Sequence, residues 1–95
     1  MKNKKKDVRI VVLQRGWIVV GNYSEKGDRG YLDGAYVIRK WGTENGLGQL
    51  VGGPVKEGRY APTVLDKCRG RVEFLLVTTI MTLKCEADKW ADICN

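Results

Sequence analysis

Two short motifs place an arginine two residues before a tryptophan: Arg15-Gly16-Trp17 and Arg39-Lys40-Trp41. Residues two apart in a strand share one face of the sheet, so each motif predicts a guanidinium beside an indole ring. That combination can stack on a nucleobase and pair with a phosphate. The alternative, which stays open at this stage, is that both tryptophans belong to the core and both arginines to its rim.

A glycine-rich stretch follows the second motif directly. Five of the 12 glycines lie between positions 42 and 53. Glycine takes positive φ without steric cost and lets backbone amides approach another molecule closely. The amides of residues 46–50 could therefore form an anion-binding nest. A tight structural corner explains the same glycines equally well. The candidate ligand-binding residues are Arg15, Trp17, Arg39, Trp41, Thr43, Gly46 and Gly48.

The composition excludes several kinds of chemistry. The chain has no histidine and a single serine, Ser24, which excludes histidine-dependent triads and histidine-based zinc motifs. The three cysteines lack C-x-x-C spacing, and a structural zinc site normally needs four Cys or His ligands. We therefore expect no metal, no cofactor and no enzymatic activity. The pattern Gly46-x-Gly48-x-x-x-Gly52 is not read as a dinucleotide fingerprint, because Pro54 stops any helix that would have to follow.

The net charge of +6 comes largely from one end of the chain. Four of the 17 basic residues lie within positions 2–6, which leaves 13 basic against 11 acidic residues elsewhere. We expect residues 1–7 to be a disordered basic tail and residues 8–95 to form one small domain. With no run of about 18 apolar residues and no secretory signal pattern, we expect a cytoplasmic protein that does not enter a membrane.

The elements that must position the candidate residues are mainly strands. Strands are predicted over residues 8–13, 17–23 and 31–41, the last one broken or bulged at Asp33-Gly34, with a short one over 63–67. Residues 71–84 are predicted as one long strand, and both prolines lie in a loop or flap over 52–62. Ala87, Trp90, Ala91 and Cys94 have the spacing of an apolar helical stripe. The fold class is therefore mostly β: a small antiparallel, partly open barrel or roll of about five strands with a short C-terminal helix.

Several segments occur in an order that carries a resemblance. They are QRGW (14–17), VIRKWGT (37–43), GLG (46–48), GGP (52–54), TVLDKC (63–68) and VEF (72–74). In this order the chain resembles, over residues 8–90, a family of short uncharacterised proteins of bacteriophages and integrated elements. The chain departs from that pattern in a longer stretch around residues 56–60. The resemblance implies a phage or mobile-element origin and a role in a host cell.

Three functions remain open from the sequence. The leading hypothesis is a non-enzymatic, anti-defence binding protein that captures a small anionic nucleotide, such as an immune signal, at a subunit interface. The second is a nucleic-acid accessory protein whose β surface stacks bases while the lysine tail follows phosphates. The third is an inhibitor of a host enzyme that uses Tyr23, Tyr31, Tyr36 and the flap. A domain this small with three tryptophans and four tyrosines is also expected to form a homo-oligomer.

Overall fold

The protein is mostly β, as predicted. A computed structural model describes residues 6–94, and the predicted lysine tail, apart from Lys6 and Asp7, lies outside them. The strands are β1 (Val8–Leu13), β2 (Trp17–Lys26), β3 (Arg29–Lys40), β4 (Val64–Lys67), β5 (Val72–Leu75) and β6 (Thr79–Lys84), and the helix α1 is Ala87–Trp90. Three 3₁₀ segments lie at Gln14–Gly16, Leu47–Gly52 and Leu76–Thr78.

The strands form one open antiparallel sheet in the order β4-β3-β2-β1-β6. The long strand β3 pairs with β5 through its first residues, Arg29 to Leu32, and with β4 through its last ones, Tyr36 to Lys40. Both short strands therefore lie at one edge of the sheet, and β6 lies at the other. Residues 71–84 are thus two strands at opposite edges, which corrects the prediction of one long strand and raises the count to six.

The link between β5 and β6 forces the sheet to coil. A flat sheet would separate these strands by four inter-strand spacings, about 19 Å. The segment Leu76–Thr78 offers only four Cα steps from Leu75 to Thr79, which span at most about 14 Å. The two edges must therefore curl toward each other, and this is the partly open roll that the sequence predicted.

A bulge at Gly34 helps β3 to bend. Val20 pairs with Tyr36 whereas Asn22 pairs with Asp33, so β3 has one more residue than β2 over this interval. Gly34 has a φ of 59°, a value that glycine adopts without strain. The predicted break at Asp33-Gly34 is confirmed.

Each face of the sheet has its own core. We call the cluster of Val11, Val19, Leu32, Ala35 and Phe74 the inner core, because Leu76 of the β5–β6 link packs against it. The cluster on the other face, the outer core, contains Val8, Ile10, Val20, Ile38, Leu50, Trp90 and Cys94. The sheet is therefore covered on both faces despite the small size of the domain.

The outer core depends on Trp90. This side chain is fully buried, and its indole Nε1–H donates a hydrogen bond of 2.9 Å to the carbonyl oxygen of Leu50. The bond joins α1 to the 3₁₀ segment Leu47–Gly52 across the sheet face. The predicted helical stripe is only partly realised, because α1 is a single turn: Trp90 and Cys94 are buried, whereas Ala91 is exposed.

The folded region includes Asp7, which was assigned to the tail. The Asp7 carbonyl accepts a 2.7 Å hydrogen bond from the Tyr23 amide, and its carboxylate pairs with Arg9 at 2.9 Å. The tail boundary is therefore earlier than predicted. No helix within residues 6–94 is long and apolar enough to cross a membrane.

Replacing Trp90 by Phe should destabilise the protein. The substitution keeps an aromatic ring but removes one of the two hydrogen bonds that the Leu50 carbonyl accepts, the other coming from the Gly53 amide at 3.0 Å. It also leaves a cavity at a fully buried site, and the two effects together should cost about 1–3 kcal/mol. Urea unfolding should show this loss in the free energy of unfolding. Trp17→Phe is the matched control, because Trp17 is 58% exposed and should change stability little. Equal effects of the two substitutions would contradict the role given to Trp90.

Candidate functional site

Two glycines of the glycine-rich stretch are explained by structure alone. Gly42 has a φ of 71°, and a Cβ there would lie 2.6 Å from the backbone of Pro62 and Thr63. Gly53 has a φ of 106° and packs against Lys89. Of the two interpretations left open by the sequence, the tight corner accounts for these positions.

A side chain of the glycine loop binds two backbone amides that lie just before the predicted nest of residues 46–50. The backbone N–H groups of Glu44 and Asn45 both donate to Oε1 of Gln49, at 3.1 and 3.0 Å. The Gln49 amide in turn donates to the Gly46 carbonyl at 3.2 Å. The loop therefore satisfies two of its donors internally with a neutral acceptor.

The remaining candidates of this loop differ from one another. Gly46 has a φ of 86°, whereas Gly48 lies inside the 3₁₀ segment without a positive φ, so backbone strain applies to Gly46 only. A Cβ at either glycine would meet nothing within 4 Å. Thr43 is partly buried. The glycine loop thus offers an open surface at positions 46 and 48 and a closed corner on either side.

The strand order places one residue of each R-x-W motif at the same end of the sheet. Trp17 begins β2 and Arg39 is the residue before the last of β3, and these two strands pair antiparallel up to Val19 and Val37. Both residues are exposed, Trp17 at 58%. The two motifs therefore offer an indole and a guanidinium from neighbouring strands. We call Trp17, Arg39 and the adjoining Arg15 the rim surface.

The geometry within each motif differs from the prediction. Arg15 lies in the turn between β1 and β2, and Trp41 follows the end of β3. In neither motif, therefore, do the arginine and the tryptophan lie on the same strand, as sharing one face of the sheet would require. Arg39 is the extra residue of a bulge, since Ile38 pairs with Leu65 and Lys40 with Val64. The indole of Trp17 is not in the core, which decides against the core interpretation for this residue.

Asp66 of β4 holds the Arg39 side chain. Its Oδ2 lies 3.0 Å from Nε of Arg39, and the two side chains are 52% and 67% exposed. An exposed ion pair of this kind contributes only about 0–1 kcal/mol to stability. Its structural effect is to restrict the direction of a guanidinium that has five N–H donors, more than one carboxylate uses. The register of β4 on β3, which brings Asp66 to Arg39, cannot be seen in the sequence.

Arg15 has an unusual backbone conformation. Its φ is 69° and ψ is 17°, and Arg15 is the sole non-glycine residue with a positive φ among residues 6–94. Gly16 follows at 81°. Two successive positive φ values in a hairpin favour Asn-Gly or Asp-Gly. An arginine there carries a local cost of about 1 kcal/mol or more, which points to a role for its side chain outside folding.

Trp41 is held by the flap rather than by the sheet. The hydroxyl of Thr63 donates to the Trp41 carbonyl at 2.7 Å and accepts a hydrogen bond from the Val55 amide, also at 2.7 Å. The indole ring is 41% exposed. Trp41 is thus an exposed aromatic residue on the loop side of β3.

Two of the tyrosines proposed for a protein interface lie under arginines. The Arg9 guanidinium is 4.3 Å from the Tyr23 ring centroid, and that of Arg71 is 4.3 Å from the Tyr31 ring. Burial and a hydrogen bond to Glu25 raise the pKa of the Tyr23 hydroxyl to about 12. These two rings therefore already have partners within the chain, which leaves less of them for a host enzyme.

The three cysteines are free thiols. Desolvation raises the pKa of Cys85 to about 12 and that of Cys94 to about 11, so these two stay protonated in the neutral range. Within residues 6–94, no group of three or more Cys, Asp or Glu side chains could hold a metal ion.

A comparison with models of known protein families finds no match for this chain, and a comparison with curated proteins finds none either.

Replacing Arg15 by Asn should stabilise the protein. Asn tolerates the left-handed conformation that the turn imposes, so the free energy of unfolding should rise by about 0.5–1 kcal/mol. Chemical unfolding measures this change, and Arg29→Asn on an exposed site with negative φ provides the control. A loss of stability on Arg15→Asn would mean that the arginine side chain supports the turn.

Alkaline pH should destabilise the protein through its buried thiols. An unfolded cysteine loses its proton near pH 8.5, whereas Cys94 and Cys85 keep theirs to about pH 11 and 12. Above pH 8.5 the folded state therefore binds more protons, and the free energy of unfolding falls as pH rises through this window. The Cys85→Ala/Cys94→Ala variant should show a shallower fall between pH 8.5 and 10.5. Identical slopes for the two proteins would contradict this assignment.

Proposed function

We propose that this protein is a non-enzymatic binding protein that captures a small anionic, nucleotide-like ligand on the rim surface. The observation that carries the proposal is that an exposed indole, Trp17, and an exposed guanidinium, Arg39, lie at the same end of the neighbouring strands β2 and β3. The indole plane suits a base, and the guanidinium suits a phosphate. Asp66 limits the directions that Arg39 can take and so reduces the ordering cost of binding.

Each contact in such a site contributes a modest free energy of binding. Stacking of one base on an aromatic side chain contributes about 1–3 kcal/mol. A hydrogen bond to a charged group adds about 1.5–3 kcal/mol. Arg15, in the adjoining turn, supplies a second cation, and the exposed Trp41 and the open surface at Gly46 and Gly48 extend the surface available to a larger ligand.

The biological form of the proposal comes from the resemblance to phage and mobile-element proteins. A small protein of that kind can counter host defence by sequestering a nucleotide messenger, which requires affinity and no catalytic group. The ligand class is therefore an immune-signal nucleotide in the host cytoplasm. In a homo-oligomer, a neighbouring subunit would cover the side of the ligand that the rim surface of one chain leaves open.

A second candidate function, binding of single-stranded nucleic acid, is favoured by the openness of the same surface. Trp17 and Trp41 are both exposed aromatic platforms, and the lysine tail adds cations. Salt separates the two functions. Coating a strand releases several counterions and weakens steeply with salt, whereas a ligand with one or two phosphates has a shallow dependence.

Native mass spectrometry after incubation with a nucleotide extract of host cells should show a retained mass. With that compound, Arg39→Ala and Trp17→Ala should each weaken the affinity by roughly ten- to hundredfold in calorimetry. Their melting temperatures should change little, because both side chains are exposed. Arg29→Ala, at the other end of β3, is the matched control for the loss of one exposed arginine.

Two results would contradict the proposal. If Arg39→Ala keeps full affinity while Arg29→Ala loses it, the ligand binds at the far end of β3. If the unmodified protein binds no nucleotide from the extract and also fails to bind oligothymidine, a probe for single-stranded nucleic acid, the rim surface has no nucleotide function.

A further inference from the structure

Strand β6 forms a free edge of the sheet. It pairs with β1 on one side, and no strand among residues 6–94 pairs with its other side. The Cys85 amide donates to the Val8 carbonyl at 2.8 Å, which sets the alternation along the strand. Residues 83 and 81 therefore direct their amide groups toward β1, and Thr82 and Lys84 direct theirs away from it.

The segment that leads into this edge is also the most apolar part of the described surface. Of seven exposed large hydrophobic side chains, two lie in β6, Ile80 at 62% and Met81 at 47% exposure. Two more precede it, Val77 at 81% in the link and Leu75 at 40% at the end of β5. The strand contains no proline, and its one charged residue is the terminal Lys84. Natural edge strands that stay unpaired usually carry charges or proline along their length.

The absence of charge along this segment favours a second copy of the same chain as the occupant. Residues 74–83 contain no charged side chain, although 13 basic and 11 acidic residues are spread over positions 7–95. Two copies of the segment can therefore meet without opposing like charges, and they present apolar groups to apolar groups.

We propose that β6 pairs antiparallel with β6 of a second copy, with the two-fold axis at Thr82. The outward N–H and C=O groups of Thr82 then bond to their equivalents, and Met81 of one copy lies opposite Leu83 of the other. Lys84 lies two positions from the axis, so the two lysines stay four positions apart and no like charges face each other. Because Ile80 is the extra residue of a bulge in β6, the regular part of the pairing is centred on residues 81–83. The pairing extends the sheet across both copies and is independent of the ligand site.

Sedimentation equilibrium at high micromolar concentration tests the proposal. The full chain should have about twice the monomer mass of 10.7 kDa. Thr82→Pro should yield a folded monomer, because the lost N–H is one that points away from β1. Thr82→Lys should also yield a monomer, since it places two lysines against each other at the axis.

Ala91→Lys adds the same charge at an exposed site outside β6 and should remain a dimer. A monomeric unmodified chain would overturn the proposal, as would a dimer that survives Thr82→Lys. Dissociation of Ala91→Lys to the same extent as Thr82→Lys would overturn it too, because net charge rather than the β6 edge would then control association. If Thr82→Pro fails to fold, Thr82→Lys decides the outcome, and its circular dichroism spectrum should match that of the unmodified chain.

Discussion

The shortness of the link between β5 and β6 governs the rest of this structure. A few residues join the two edges of the sheet, so the sheet has to coil around the inner core. On the inner face, the pairing of β5 with β3 sets Phe74 directly opposite Gly30, where a Cβ would lie 2.5 Å from the ring, so only glycine leaves the ring in place. The coil also makes the other face convex, and the loop after β3 and the C-terminal turn cover that face.

The cover of the outer face explains why so small a domain has two cores. The 3₁₀ segment Leu47–Gly52 and the helix α1 are each too short to be stable alone. They are held by apolar burial and by the single indole hydrogen bond between Trp90 and Leu50. Gly53, with its positive φ against Lys89, lets the two segments meet. The glycine-rich stretch is thus in large part the means by which the outer core is closed.

Composition and alternation were enough to predict the fold class, the first three strands and the bulge at Gly34, because those signals are local. The long run 71–84 was misinterpreted, since nothing in a β-rich run reports that it turns a corner at Leu76. The C-terminal stripe predicted the burial of Trp90 and Cys94 but not the length of the helix. Tertiary contacts with Leu50 and Val51 determine that length.

At the candidate site, too, local features could be predicted from the sequence, whereas the spatial neighbours of the residues could not. The residue types of the two R-x-W motifs are visible in the sequence, and the exposure of Trp17 and Trp41 is compatible with a binding role. The side chain that holds Arg39 is nevertheless Asp66 of β4, and Trp17 lies at the same end of the sheet on β2. Both placements follow from strand pairing, which depends on residues far apart in the chain.

Because both faces of the sheet carry a core, the exposed large hydrophobic side chains of the described residues lie at the perimeter: beside the β1–β2 turn, in the loop after β3 and the flap, and at the strand edges. The interior and this exposed perimeter are therefore nearly separate parts of the sequence. We expect that changes in the length of the flap around Lys56 to Tyr60, or in the β1–β2 turn, leave both cores undisturbed. A fold arranged in this way can change rapidly at its perimeter while its architecture persists.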